Sequence, residues 1–143
     1  MSHANLRSQV VAILHKVLSK PGKVKYGNVH LLAILLSALY RYHNEFVLSV
    51  IDTLLESICF GLENNDFQFN QRRIAEVKFL GELYNYRMLE HPVVFETMYK
   101  IMTFGWGMNE ITLFCFIQRV VAADSIFRRT SNTGSRQSIR SSR

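Results

Sequence analysis

A chain of 143 residues, 48% of them hydrophobic, is long enough for one domain with a substantial core. The net charge of +6 is concentrated at the carboxyl end, where residues 119–143 hold six arginines and one aspartate, so it is weak support for a nucleic-acid-binding fold. Two distant cysteines and five histidines without ligand spacing disfavour a disulfide framework or a metal site, and they fit a reduced intracellular compartment.

Three helices are predicted in the first half of the chain. Apolar residues recur at three- and four-residue steps from Leu6 to Leu18, which predicts an amphipathic helix that the sequence KPGK ends. A second helix is predicted from Asn28, and we expect it in the interior because it is apolar on nearly all sides. A third helix is predicted from Asn44 to a stop at Gly61. Its predicted core stripe consists of Val47, Val50, Ile51, Leu54, Leu55 and Ile58.

The fourth helix is predicted from the stretch FNQRRIAEVKFLGELYNYRML, residues 69–89. Asn70 is suited to its N-cap, and Phe69 with Ile74 can form a hydrophobic staple across its first turn. Its predicted buried side consists of Ile74, Val77, Leu80, Leu83, Tyr84 and Met88, and its narrow wet side of Gln71, Lys78, Glu82 and Asn85. A fifth helix is predicted from Pro92 to the GWG sequence at 105–107.

Arg72 and Arg73 stand in the first turn of the fourth helix, where positive charge has the wrong sign for the helix dipole. If the third and fourth helices are antiparallel, both arginines lie near the carboxyl end of the third helix, close to Glu63 and Asp66. We therefore expect an ion pair between the two helices for at least one arginine. The alternative, in which one guanidinium points outward to a phosphate or an acidic partner, stays open.

This pattern predicts an all-α fold, an α-solenoid of antiparallel helical hairpins, over residues 1–107. Residues 108–129 form a divergent apolar segment in which periodicity cannot separate a strand from a buried helix. Residues 130–143 are rich in serine and arginine and are predicted to be disordered. We expect the solenoid to be incomplete at its carboxyl end, which would leave an apolar surface exposed there.

The third helix carries an acidic ridge, which we define as Asp52, Glu56 and Glu63. Their spacing of four and seven residues places them within about 40° of one another on a helix. The ridge is either a solvated face or a docking surface for a basic partner, since complementary charge gives an interface speed and specificity. The sequence lacks a nucleophile elbow, a P-loop and a glycine-rich phosphate cradle, so we predict neither an enzyme nor a bound cofactor.

Two stretches carry a family resemblance. KYGNVHLLAILLSALYRYHNEF and VIDTLLESICFGLENNDFQFNQRRIAEVKFLGELYNYRMLEHPVVFETMYKIMTFGW resemble the middle domain of the initiation factor 4G family. More narrowly, they resemble the third such domain of the second up-frameshift proteins, the scaffolds of nonsense-mediated mRNA decay. FNQRRIAEVKFLGELYNYRM is the most specific part, and the resemblance ends near Trp106.

The resemblance implies a non-catalytic adaptor of α-helical repeats that acts in the cytoplasm, including its perinuclear region. In that family the third domain presents acidic residues to the basic RNA-recognition-type domain of the third up-frameshift protein, and the matching acids here are Asp52, Glu56 and Glu63. The same fold can contact RNA in this family, so Arg72 and Arg73 are candidate RNA-binding residues.

Three hypotheses follow for the function of the chain. The first is an adaptor that docks a basic partner on the acidic ridge. The second is an RNA-binding helical module that uses Arg72, Arg73 and the basic tail. The third is a truncated chain without independent activity, for which a poorly cooperative melt and dye-binding apolar surface are expected.

Overall fold

The computed structural model describes residues 3–64 and 67–104, together with 118 and 122. Five α-helices lie within residues 3–64 and 67–104, and no strand occurs among the residues described. They are α1 (His3–Leu18), α2 (Val29–Tyr40), α3 (Asn44–Asn64), α4 (Asn70–Asn85) and α5 (His91–Phe104). Short 3₁₀ turns stand at Pro21–Lys23, Tyr26–Asn28 and Phe67–Phe69. The predicted all-α class is confirmed. The segments predicted at 108–129 and 130–143 lie outside the described residues, except for 118 and 122.

The helices stack as expected for a helical solenoid. α4 packs against both α2 and α3, while α5 packs against α3. Contacts between helices two positions apart in the chain are what a stack of hairpins requires, since each hairpin cannot bury its apolar side alone. The core stripe of α3 is confirmed, because all of its predicted members are buried except Leu55, which is half-buried.

α4 is the central helix of this stack. Ten of its 16 residues are buried, and the Pro21–Lys23 turn lies against it in addition to α2 and α3. Glu82 was predicted on a wet side of this helix, and that prediction is wrong: the residue is only 5% exposed. The reason is that neighbours surround α4 on more sides than a helix at the edge of a stack would have.

α2 is not the interior helix that its composition predicts. Val29, Ala33 and Leu36 are fully buried, but the opposite side of the helix is open. There Leu31, Ile34 and Leu35 are between 45% and 51% exposed. The fold covers only one face of α2, so its uniformly apolar sequence is not matched by burial on all sides.

α3 is longer than predicted, because it continues through Gly61 to Asn64. Gly61 does not end the helix, and it packs against Arg73 of α4. A Cβ atom at this position would meet both Cγ and Cδ of Arg73 at 3.5 Å, which is an ordinary van der Waals distance. The extra turn places Glu63 on the same helix as the other two ridge residues.

Candidate functional site

The acidic ridge lies on the outer side of α3. Asp52, Glu56 and Glu63 are all exposed, whereas the apolar stripe of the same helix faces the core. Among the residues that the structure describes, none of the three carboxylates is hydrogen-bonded or ion-paired. The arrangement expected from their spacing is therefore present, with three free negative charges on one accessible face.

Glu63 occupies an unfavourable position for helix stability. It is the last residue but one of α3, where the helix dipole presents its negative end and disfavours a further negative charge. The expected cation does not offset it, since neither Arg72 nor any other described residue pairs with Glu63. Asp66, the other carboxylate named for this role, lies outside the described residues.

Arg72 pairs within its own helix. Its Nε donates to Oε1 of Glu76 at 2.9 Å, and its terminal Nη2 donates to the hydroxyl of Ser57 at 2.8 Å. The Ser57 hydroxyl in turn donates to Oε1 of Glu76 at 2.8 Å. This triad joins α3 to α4, but the bond between helices goes to a serine hydroxyl instead of the predicted carboxylate. Glu76, only 2% exposed, also supplies the negative charge that offsets Arg72 in the first turn.

The two adjacent arginines have different environments. The Arg72 side chain is 52% exposed, so part of its guanidinium reaches solvent beside the triad. Arg73 is only 4% exposed and lies between α3 and α4, next to Gly61. An RNA phosphate at the surface can therefore reach Arg72 but not Arg73 in this conformation. No feature of the sequence distinguishes the two residues, because both are arginines in the same helical turn.

An open groove lies between the carboxyl-terminal half of α3 and the start of α4, with a volume of about 380 Å³. Phe60 and Phe69 line it, and Ser57, Arg72 and Glu76 contribute their polar groups. Phe60 is 67% exposed and follows Glu56 by one helical turn, so an exposed aromatic ring stands directly beside the acidic ridge. Sequence reasoning missed Phe60. The available signal was an aromatic residue outside the core stripe, between two ridge acids.

The described residues give little support for other kinds of site. In the ranges 3–64 and 67–104, no group of three or more His, Cys, Asp or Glu side chains is placed to hold a metal ion. Within the same ranges, no helix has the length and apolar character needed to cross a bilayer. The feature with the clearest potential for recognition is therefore the acidic ridge with Phe60 and the adjoining groove.

Comparison with known proteins identifies relatives over most of the chain. A family model described as the MIF4G domain matches residues 2–119. The chain is 46% identical over 95 residues to "Regulator of nonsense transcripts UPF2" of Arabidopsis thaliana and 50% identical over 82 residues to "Regulator of nonsense transcripts 2" of Homo sapiens. It is 41% identical over 98 residues to "Nonsense-mediated mRNA decay protein 2" of Saccharomyces cerevisiae.

These matches cover much of this chain but little of each relative. The aligned residues are 66%, 57% and 68% of this chain for the plant, human and yeast proteins. They are only 8%, 6% and 9% of those proteins. The similarity therefore concerns one module of much longer proteins.

Proposed function

We propose that this chain, which belongs to the MIF4G domain family, is a non-catalytic scaffold module of nonsense-mediated mRNA decay that binds a protein partner through its acidic ridge. The printed names of its relatives support the pathway, and the high identity over 95 residues supports a shared surface. We further propose that it corresponds to the third middle domain of the second up-frameshift proteins and that it acts in the cytoplasm. The stretch FNQRRIAEVKFLGELYNYRM supports that assignment.

The observation that carries this proposal is the combination of three exposed, unpaired carboxylates on one helix face among the described residues. A carboxylate without an internal partner can pair with a ligand without first breaking a hydrogen bond or an ion pair in the protein. Glu63 adds weight because its place near the end of α3 is unfavourable for the isolated domain. A cation from a partner would relieve that unfavourable interaction.

Phe60 and the adjoining groove provide the apolar part of the proposed interface. Protein interfaces draw most of their binding free energy from a few anchors in pockets, with aromatic residues enriched among them. Phe60 is exposed beside Glu56 and borders the groove, so a partner that pairs with the ridge can also cover this ring. A folded basic domain fits this surface better than a flexible cationic tail, because it can present both charges and an apolar contact.

The partner we propose is the basic RNA-recognition-type domain of the third up-frameshift protein. The test is a binding titration of that domain against the full chain and against the double variant Glu56→Arg with Glu63→Arg. Since buried charge pairs lose affinity strongly when one partner is reversed, we expect a loss of about a hundredfold or more. The matched control is Glu90→Arg with Glu96→Arg, which changes net charge equally at two exposed acids outside the ridge.

The outcomes separate this proposal from its rivals. Equal weakening by both double variants would mean that only net charge matters, and the ridge would lose its role. The RNA-binding alternative predicts that deletion of residues 119–143 or Arg72→Ala lowers RNA affinity and the salt dependence of binding, while the ridge variants have no effect on RNA. Binding by none of these routes, together with a poorly cooperative melt, would favour the chain without independent activity.

A further inference from the structure

α1 carries an apolar seam that the fold does not cover. Leu6, Val10, Ile13 and Val17 are 58%, 50%, 62% and 52% exposed. They follow one another by four, three and four residues, which is the spacing of the core positions of a coiled coil. We refer to these four residues as the α1 seam. Such a spacing lines one narrow edge of a helix over about three turns.

Among the described residues, the side-chain contacts that join α1 to α3 lie at the carboxyl end of α1 and on another side of the helix. His15 bonds through Nε2 to the hydroxyl of Ser49 at 3.1 Å, and its ring meets that of Phe46 edge-on with centroids 6.0 Å apart. Leu18 is buried in the core. At 100° per residue, His15 lies about 160° from Val17 around the helix. The α1 seam is therefore turned away from the side on which α1 attaches to α3.

The charges around the α1 seam have one sign. Arg7 follows Leu6 and Lys16 precedes Val17, which puts both at the positions that flank a coiled-coil core. Both side chains are exposed. The first 44 residues contain no Asp or Glu and six basic residues: Arg7, Lys16, Lys20, Lys23, Lys25 and Arg41. Opposite charges at these flanking positions set partner choice in helix pairs.

We propose that the α1 seam binds an amphipathic helix of a partner protein whose apolar edge is flanked by acidic residues. The spacing of the apolar residues favours a helix as the partner, and the flanking Arg7 and Lys16 favour a helix with acidic residues beside its apolar edge. This surface is separate from the acidic ridge on α3, so the module would join a basic partner to an acidic one. The inference does not depend on the identity of the partner proposed for the ridge.

Two other occupants fit the surface less well. A second copy of α1 would bring another helix without any acidic residue, so it offers no complementary charge to Arg7 and Lys16. A membrane surface favours interfacial helices with Trp, Phe or Leu on a broad apolar face and a polar face rich in Lys and Arg. α1 has no Trp, Phe or Tyr and only one Lys and one Arg, although Val11 and Leu14 on the same helix are also 50% and 38% exposed.

The test uses the full chain and three labelled peptides of about 21 residues, or three heptads. The first has Leu at core positions and Glu at the flanking positions; the second replaces every Glu with Lys. The third contains the residues of the first in an order that removes the apolar edge. Fluorescence anisotropy should give binding for the first peptide and at least about tenfold weaker binding for the other two, because both seam and charge are required.

Variants of the protein locate the binding site. Val10→Ser with Ile13→Ser should weaken binding of the acidic peptide about tenfold or more, as loss of central apolar anchors does. Phe95→Ser with Tyr99→Ser is the matched control, since these α5 residues are 54% and 66% exposed but lie on another helix. We expect the control to bind the acidic peptide as the unmodified chain does. Both variants should keep the melting temperature, because the altered side chains are at the surface.

Four results would overturn the inference. Equal binding of the acidic peptide and its reordered version would mean that charge attraction alone, and not the apolar seam, accounts for binding. Equal weakening by the α1 and α5 variants would remove the seam as the site. If light scattering showed a dimer of the chain, and Val10→Ser with Ile13→Ser abolished that dimer, the occupant of the seam would be a second copy of the chain. Cosedimentation with vesicles of anionic phospholipid, lost in the same variant and without peptide binding, would identify a membrane surface.

Discussion

The burial of α2 and α4 in the fold is the opposite of what their amino-acid compositions suggest. α2 contains no Asp, Glu, Lys or Arg, yet three of its large apolar residues are about half exposed. α4 contains two arginines, two glutamates and a lysine, yet ten of its 16 residues are buried. The difference lies in position, because α4 has α2, α3 and the Pro21–Lys23 turn around it. Composition measures how favourable burial would be, whereas the number of neighbours decides whether burial occurs.

The test of this comparison with the largest expected effect removes one apolar side chain from each helix. Phe79 on α4 is 0% exposed, and Leu35 on α2 is 46% exposed. Phe79→Ala should lower the free energy of unfolding by about 3–5 kcal/mol, since it deletes a buried ring and leaves a cavity. Leu35→Ala should cost about 1 kcal/mol at most, because much of that side chain is already in water. Urea denaturation of both variants measures the difference, and equal losses would contradict the assigned positions of the helices.

The parts of the fold that the sequence predicted are those that one helix determines by itself. The spacing of apolar residues predicted the buried stripe of α3 because helical periodicity fixes the angle between positions. The same geometry predicted that Asp52, Glu56 and Glu63 share one exposed face.

The parts that the sequence did not predict depend on which helices become neighbours. The exposed side of α2, the burial of Glu82 and the different environments of Arg72 and Arg73 all depend on contacts between elements distant in the chain. The groove beside the ridge is of the same kind, since it is lined both by Phe60 on α3 and by Phe69 in the turn before α4. The periodicity of apolar residues within one helix carries no information about which elements become its neighbours.

A second test concerns the polar interior of α4. Glu76→Ala removes the carboxylate that accepts from both Arg72 and Ser57. Loss of a buried acceptor leaves its donors without a partner and should lower the free energy of unfolding by about 1–3 kcal/mol. The lower part of that range is favoured because Arg72 is half exposed and can turn toward water. Thermal and urea unfolding measure the loss, and an unchanged midpoint would show that the triad adds nothing.

The matched control is an ion pair of the same helical spacing on the surface. Lys100 bonds to Glu96 at 2.9 Å, and both side chains are exposed. The hydrogen bond to Glu96, followed by its negative charge, raises the pKa of Lys100 above its ordinary value. Whatever stability this pair adds is present below the pKa of an unfolded lysine and is lost as the pH rises through the higher folded pKa. Glu96→Ala should therefore lower the pKa of Lys100 by NMR while leaving the melting temperature at neutral pH nearly unchanged.

The prediction with the smallest expected effect concerns the Pro21–Lys23 turn, which packs against α4. A Cβ atom at Gly22 would lie 2.7 Å from Cγ, 3.1 Å from Cβ and 3.2 Å from Cα of Arg72. The arginine stem can move, but its Cα belongs to a packed helix, so Gly22→Ala should cost about 1–2 kcal/mol. Gly27 is the matched control, because a Cβ there meets nothing within 4 Å and its turn does not need a positive φ. Gly27→Ala should leave stability unchanged or raise it by up to about 1 kcal/mol by restricting the unfolded chain. If both substitutions gave the same result in urea denaturation, the Pro21–Lys23 turn would not be pressed against α4, and the central position of that helix would lose one of its three supports.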